Sequence, residues 1–174
     1  MRIFSPKSAL PYRFKSPPKL KACLAYFNLP GVEDASDWFG QRDPNSKDNA
    51  PDYPVALSIS DITQQAKPGK DAIPQIVFSE ACYGAHIQNK STEEAISIKL
   101  LSAGSKVVIG STCMSYGSIS TPLIAADLLA HSFWLFLREG ISVGEALQRA
   151  KIHMTQTMHA RHGHLDGEDQ KTLI

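Results

Sequence analysis

The chain has 174 residues, of which 43% are hydrophobic and 20% charged, a size and composition typical of one soluble globular domain. Its net charge of +1 gives no reason to expect nucleic acid or an acidic membrane as a partner. No apolar run approaches the roughly 20 residues that cross a bilayer. The three cysteines, odd in number and far apart, form neither a disulfide framework nor a zinc pattern. We therefore expect a cytoplasmic setting with reduced thiols, and predict no cofactor and no metal site.

Residues 1–19 are predicted to be a basic, proline-containing lead-in to a domain that spans residues 20–174. The lead-in has no acidic residue, and Pro6, Pro11, Pro17 and Pro18 interrupt it. It also lacks the uninterrupted apolar stretch of a secretory signal. A solvated segment without a strand is the expectation here.

Two buried strands are predicted in the first half of the domain. Leu20 to Leu29, "LKACLAYFNL", is a compact apolar run stopped by Pro30 and Gly31, and Cys23 inside it reads as a buried, inert thiol. Residues 32–70 are rich in Asp, Asn, Pro and Ser and read as loop, with a short strand in "PVALSISDI". The second buried strand is "PQIVFSEA" from Pro74.

Helices and one more strand follow. Ser91 and Glu94 form a capping box, which predicts a helix that begins there and ends at Gly104. The next segment, "KVVIGST", is predicted to be a short buried strand. A second, largely apolar helix is predicted to open at Pro122 and to end at Gly140.

A third helix is predicted to begin at a capping box of Ser142 and Glu145. Apolar residues then recur at helical spacing on one face; they are Val143, Ala146, Leu147, Ala150 and Met154.

The order of these elements is strand, strand, helix, strand, helix, helix, which predicts an α/β, three-layer domain with a mostly parallel sheet flanked by helices. In such sheets ligands bind beyond the carboxyl ends of the strands. Pro30 with Gly31, Cys82, and Ser111 with Thr112 each come just after a predicted strand. We therefore expect these three strand ends to converge on Cys82.

Cys82 has two interpretations. A cysteine that ends a strand is most often an unreactive residue that packs in the core. Here, however, a carboxylate precedes it by two positions and Tyr83 and Gly84 follow it, so the backbone is free to turn and the thiol to be reached. The sequence alone leaves a core residue and a nucleophile both open.

The ordered motifs "VFSEACYGAHI", "EEAISIKLLSAGSKVVIGST" and "GISVGEALQRAKIHM" resemble the catalytic half of gingipain-type cysteine peptidases. These belong to the caspase-like superfamily, with caspases, metacaspases, legumains and clostripain. The resemblance covers roughly Leu20 to Ile174 and implies a caspase-like fold and a cysteine-type endopeptidase acting on a peptide or protein substrate.

The resemblance assigns Cys82 as the nucleophile and Gly31 as the oxyanion glycine. The family has a general-base His directly before that glycine, where this chain has Pro30 in "FNLPG". Proline cannot accept or donate a proton through its side chain, so the resemblance implies impaired activity. An inactive homologue, a base recruited from elsewhere and an alteration of the natural sequence are three explanations.

His86, four residues after Cys82, is the nearest substitute base, although a loop-satisfying role is the commoner one for such a histidine. The other histidines of interest cluster near the end of the chain, where His159 and His162 have a spacing that metal ligands on a helix use. An exposed helix end, where the helix dipole favours cations, is the preferred interpretation of that cluster.

Glu80 lies two positions before Cys82, where metacaspases have an acidic residue that lines the pocket for a basic side chain, so the resemblance implies cleavage after Arg or Lys. Ser111 and Thr112 would form one wall of this pocket, with Trp38 or Tyr116 as apolar flanks. A structural carboxylate at Glu80 and a capped turn at Ser111 are the alternatives.

The family also has strands upstream of Leu20, and Lys171 to Ile174 reads as the start of another strand, so we expect an incomplete fragment that self-associates through exposed sheet edges. Two functions stay open besides an endopeptidase impaired by Pro30. One is a catalytically silent caspase-fold module that binds or regulates, and the other is an unrelated α/β binding domain with a buried Cys82.

Overall fold

A parallel sheet forms the centre of the first half of the chain. The computed structural model describes residues 2–4, 23–43, 45, 51–62, 73–118 and 120–173, which divide into two compact units, 1–113 and 114–174. In the first unit, strands β1 (Arg2–Phe4), β2 (Leu24–Phe27), β5 (Ile76–Ser79) and β6 (Val107–Ile109) lie side by side in the order β1, β2, β5, β6, and all pair in parallel. The three strands predicted within residues 20–112 are confirmed, with shorter bounds, but β6 was predicted to be buried and is only partly buried.

Strand β1 was not expected. The prediction that residues 1–19 contribute no strand is wrong, because Arg2 pairs with Ala25 and Phe4 with Phe27 along the edge of β2. Ile3 and Phe4 precede the prolines of this segment, and both are residue types that favour strands. The rest of the lead-in, residues 5–22, lies outside the described residues.

A two-stranded hairpin covers part of the sheet. Strands β3 (Trp38–Phe39) and β4 (Val55–Leu57) pair antiparallel, and a 3-10 turn, Ile59–Asp61, follows β4. The predicted strand in "PVALSISDI" is thus confirmed. Residues 44, 46–50 and 63–70 of the predicted loop lie outside the described residues.

The core of the first unit lies on one face of the sheet. Alternate residues of β2 and of the β5 segment point to this face, since successive side chains of a strand alternate. They meet apolar residues of the hairpin and of helix α1 (Ile96–Ser102). The buried cluster includes Ala25, Phe27, Val77 and Ala81 from the sheet, Trp38 and Leu57 from the hairpin, and Ile96 and Leu100 from the helix. Cys23, predicted to be buried, is exposed instead, because β2 begins only at Leu24.

Helix α1 begins later than its capping pattern predicted. Both the backbone N–H and the hydroxyl of Ser91 donate to the Glu94 carboxylate, at 2.8 and 2.7 Å, so the pair does bond. It closes a separate turn, and the helix starts at Ile96 after an extended Ala95. Gly104 follows the helix with φ of +119°, the positive value that its position required.

The second unit contains helices α2 (Ala125–Leu137), α3 (Val143–His162) and α4 (Gly167–Leu173), and α2 packs against α3. The predicted start of α2 at Pro122 is wrong by three residues, since Ile124 is extended, with φ of −131° and ψ of 166°. Helix α3 has the predicted Ser142 cap and buries Ala146, Ala150 and Met154. Within the described ranges, no helix is both long and apolar enough to cross a bilayer.

The strand predicted from Lys171 is also wrong, because α4 includes residues 171–173. A run of polar residues precedes it, and the Gln170 N–H donates to the Asp166 carbonyl at 3.1 Å, which continues a helix and not a strand. Lys151 of α3 donates to the Leu173 carbonyl at 2.6 Å and so holds the end of this helix. Orphan carbonyls at a helix end gain from such a cation.

Candidate functional site

Cys82 lies in a tight loop directly after β5, at the carboxyl end of the sheet. Its side chain is half-buried and its thiol is not in a disulfide. Backbone hydrogen bonds from Tyr83 to the Cys113 carbonyl and from Ala85 to the Ser111 carbonyl, each 2.8 Å, hold this loop against the segment after β6. The structure therefore brings Cys82 next to Ser111 and Thr112, as the order of the strands predicted.

Gly31, after β2, is in close contact with the same loop. A Cβ at Gly31 would lie 2.0 Å from the Cys82 carbonyl oxygen and 3.2 Å from its carbon, so any side chain here would collide with the backbone of Cys82. The hairpin fixes Gly31 from the other side through a bridge to Trp38. Glycine at this position is thus explained by the approach of two backbones.

Pro30 occupies the position at which the family resemblance expects a histidine. Its carbonyl accepts a hydrogen bond of 2.8 Å from the Phe39 N–H, which ties this residue to the hairpin. The pyrrolidine ring offers neither a proton acceptor nor a donor to Cys82. At this position the chain can hold the backbone in place but cannot take part in proton transfer.

His86 turns toward the segment after β6. Its Nδ1 lies 3.3 Å from the Thr112 carbonyl oxygen, and its ring packs edge-on against Tyr83 with centroids 6.1 Å apart. A carbonyl only accepts hydrogen bonds, so this contact requires a proton on Nδ1. The contact ties the ring to the segment after β6, and this tautomer leaves Nε2 as the ring nitrogen that can accept a proton.

Tyr83 has an unusual backbone and an anionic neighbourhood. It is in the left-handed region with φ of 57°, a conformation uncommon for an aromatic residue. The Glu33 carboxylate raises the pKa of the Tyr83 phenol most, followed by burial and by the thiols of Cys113 and Cys82. The Glu33 carboxylate therefore interacts with the loop that contains Cys82.

Glu33 and Lys90 connect the two loops that flank Cys82. The Lys90 ammonium donates to the Glu33 backbone carbonyl at 2.5 Å. The Glu33 carboxylate in turn accepts a hydrogen bond from the Tyr83 phenol. This link is not predictable from sequence spacing, since Glu33 and Tyr83 are 50 positions apart. Only the position of Tyr83, directly after Cys82, indicated that this tyrosine lies near the candidate site.

Glu80 is a buried carboxylate next to the Cys82 loop. It is 9% exposed, its N–H donates to the Phe27 carbonyl at 2.8 Å, and its Oε1 accepts a hydrogen bond of 2.5 Å from the Tyr26 hydroxyl. Sequence analysis did not identify Tyr26. Tyr26 pairs with Phe78 in β5, and Glu80 follows Phe78 by two residues, so Tyr26 and Glu80 lie on the same face of the sheet. The alternation of side chains along β2 was the signal that could have identified Tyr26.

The remaining candidates for the pocket wall have structural roles. The Ser111 hydroxyl donates to the Cys113 carbonyl at 2.9 Å and accepts from the Cys113 N–H at 3.3 Å, as in a capped turn, and Thr112 is exposed. Trp38 is 4% exposed and packs edge-on against Phe27, so it belongs to the core and not to a pocket flank. Tyr116 lies in the second unit and donates to the Met114 sulfur at 2.8 Å.

The histidine cluster does not assemble into a metal centre among the described residues, where no group of three or more His, Cys, Asp or Glu side chains is arranged to hold an ion. His159 and His162 are exposed in the last turn of α3. His153, by contrast, contacts the buried Ser132 hydroxyl through Nδ1 at 2.9 Å and therefore joins α3 to α2.

A separate cavity of about 570 Å³ lies along the hairpin. Its walls include Asp37, Pro54, Val55, Ile59 and Ser60, and Cys82 is not among them. We base the candidate site on the convergence of Gly31, Glu80 and Cys82, because chemistry requires particular side chains and not only volume.

Comparison with family models, with curated proteins and with solved structures gives no match for this chain. The resemblance to gingipain-type peptidases accordingly depends on the motifs and their order. The fold itself is α/β, with a parallel sheet and helices.

Proposed function

We propose that this chain is a cysteine-type endopeptidase domain with a three-layer caspase-like fold, in which Cys82 is the nucleophile and Pro30 impairs catalysis. One observation carries the proposal: the backbone of Gly31 lies against the backbone of Cys82. In the proposed family the nucleophile and the oxyanion glycine must be neighbours in this way. In this chain Gly31 and Cys82 are 51 positions apart in sequence (82 minus 31).

The proposed reaction is acyl transfer. The Cys82 thiolate attacks the scissile carbonyl carbon, a C–S bond forms, and the backbone N–H groups of Gly31 and Cys82 stabilise the resulting oxyanion. Collapse of this intermediate breaks the C–N bond and leaves a thioester, which water then hydrolyses to the acid and the free thiol. The departing amine needs a proton, which the histidine of the family supplies and Pro30 cannot.

Glu80 supports a preference for a basic residue before the cleaved bond. Its carboxylate is largely buried beside the Cys82 loop, and a desolvated carboxylate pairs strongly with guanidinium or ammonium. Ser111 and Thr112 would contribute to the wall through their position after β6, while the Ser111 hydroxyl stays in its turn.

A catalytically silent binding or regulatory module is the second candidate function. Pro30 favours it, because the side chain at the position where the family has its general base can neither accept nor donate a proton. In this case the Glu80 pocket would bind a basic side chain without cleavage of the chain that carries it.

Hydrolysis of fluorogenic peptides that end in Arg, Lys, Asp or Leu tests the proposal. The variants are Pro30→His, Cys82→Ala and their combination, with Cys23→Ala as a matched control because Cys23 is an exposed cysteine. We expect activity to appear with Pro30→His, to vanish when Cys82 is also replaced and to survive replacement of Cys23. A folded Pro30→His protein with no Cys82-dependent hydrolysis would overturn the peptidase proposal in favour of the silent module.

A further inference from the structure

We infer that Tyr26 is a positioning residue that holds the Glu80 carboxylate and thereby sets the preference of the site for a cationic side chain. The inference deepens the proposed function and rests on it for the location of the substrate. It concerns recognition and not the chemical step, so the two can be tested separately.

The register of the sheet places the two residues together. Tyr26 in β2 pairs with Phe78 in β5, and Glu80 lies two residues further along, on the same face of the sheet. A diagonal neighbour of this kind is within reach of an aromatic side chain. The Glu80 N–H donates to the Phe27 carbonyl at 2.8 Å, so the sheet also holds the backbone of Glu80 in line with β2.

The phenol compensates for the burial of the carboxylate. Glu80 is 9% exposed, and a buried charge needs hydrogen bonds to replace those it would have with water. The Tyr26 hydroxyl donates to Oε1 at 2.5 Å and so supplies one of these hydrogen bonds. The Phe78 ring lies at a centroid distance of 6.4 Å from the Tyr26 ring and limits its movement.

A carboxylate that is held in place distinguishes a cationic side chain from a neutral side chain of the same shape. An arginine side chain would pair with it, whereas citrulline has nearly the same shape without the charge. Loss of the Tyr26 hydroxyl removes one group that fixes the carboxylate, so the gain of arginine over citrulline should shrink. Loss of general packing would weaken both side chains alike.

Peptide binding to the Cys82→Ala protein tests this inference, because no hydrolysis can interfere. Two fluorescent peptides are compared that differ only in Arg or citrulline at one position, and the ratio of their dissociation constants is measured. The protein is tested alone and with Tyr26→Phe, Glu80→Gln or Tyr53→Phe. Tyr53 is a matched control, since this tyrosine of the same unit is 61% exposed.

We expect a preference for the arginine peptide that Glu80→Gln abolishes, that Tyr26→Phe reduces about tenfold and that Tyr53→Phe leaves unchanged. The inference is wrong if the arginine peptide has no advantage, if Tyr26→Phe leaves the ratio unchanged, or if it weakens both peptides equally. Failure of the Pro30→His variant to hydrolyse any peptide would count against the peptidase proposal alone.

Discussion

The Cys82 carbonyl oxygen fills the space that a Cβ would need at Gly31. We therefore expect Gly31→Ala to push the two loops apart and to lower the free energy of unfolding by about 1–3 kcal/mol, the usual cost of overpacking. Gly144→Ala is the matched control, because Gly144 lies in α3 and an added Cβ would meet no described atom within 4 Å apart from its chain neighbours and its own helix backbone. It should leave stability unchanged or raise it by about 0.5–1 kcal/mol. Denaturant unfolding of both variants provides the comparison, and equal effects would contradict the contact.

Leu100 and Leu101 are consecutive residues of α1 with opposite environments. Leu100 is 0% exposed in the core of the first unit, and Leu101 is 47% exposed. Leu100→Ala should lower the free energy of unfolding by about 2–5 kcal/mol, through lost burial and the cavity left behind. Leu101→Ala should change it by less than about 0.5 kcal/mol. Chemical denaturation followed by circular dichroism measures both values. A similar decrease in the free energy of unfolding of the two variants would contradict the assignment of Leu100, and not Leu101, to the core.

Ionisation of Tyr83 should destabilise the fold at high pH. The pKa of its phenol is raised above the ordinary value of 10.0, chiefly by the Glu33 carboxylate. As the pH rises past the unfolded value, the unfolded chain loses this proton first, so the free energy of unfolding falls until the pH reaches the folded pKa. Below that window the contribution is fully present.

Denaturant midpoints measured between about pH 9 and pH 11 test this behaviour. Tyr83→Phe should make the fall in that range shallower, and Tyr53→Phe should not, because Tyr53 lies in another, well exposed position. Identical slopes in the wild type and in Tyr83→Phe would refute the link between Glu33 and the phenol.

Glu94 should show the opposite sign at low pH. Hydrogen bonds from the Ser91 hydroxyl and N–H lower the pKa of the Glu94 carboxyl below its ordinary value of 4.5. Its contribution to stability is present above that value and is lost as the pH falls through the folded pKa. Glu94→Gln and Ser91→Ala should each reduce the acid sensitivity of unfolding in this window. Unchanged profiles in both variants would mean that the bonded turn adds nothing to stability.

The parts of the fold that the sequence predicts well are those with a strong local signal. The β-branched and aromatic runs around Ile76–Ser79 and Val107–Ile109 predicted strands, and the Ser142 cap predicted where α3 begins. The two-residue strand at Trp38–Phe39 has no such signal, because its existence depends on pairing with β4. The polar segment at Gly167–Leu173 was mistaken for a strand start because its helix depends partly on α3, through Lys151.

The candidate site divides in the same way. The convergence of Gly31 and Cys82 followed from the order of parallel strands, which is a rule of topology. The hydrogen bond of Tyr26 to Glu80 and the link of Glu33 to Tyr83 depend on side chains 54 and 50 positions apart. Composition and spacing contain no information about which of many distant side chains meet, so these contacts required the structure.

The register of β2 with β5 has a kinetic consequence. Leu24 pairs with Ile76, so 52 positions of chain, 76 minus 24, must be closed into a loop before this part of the sheet can form. Loop closure of this kind is entropically costly and makes parallel sheets slow to fold. The α2 and α3 pair, joined by only a few residues, has no comparable barrier. During refolding the helical signal should therefore recover first, and Cys82 should reach its final environment, and its final reactivity toward thiol reagents, only in a later phase.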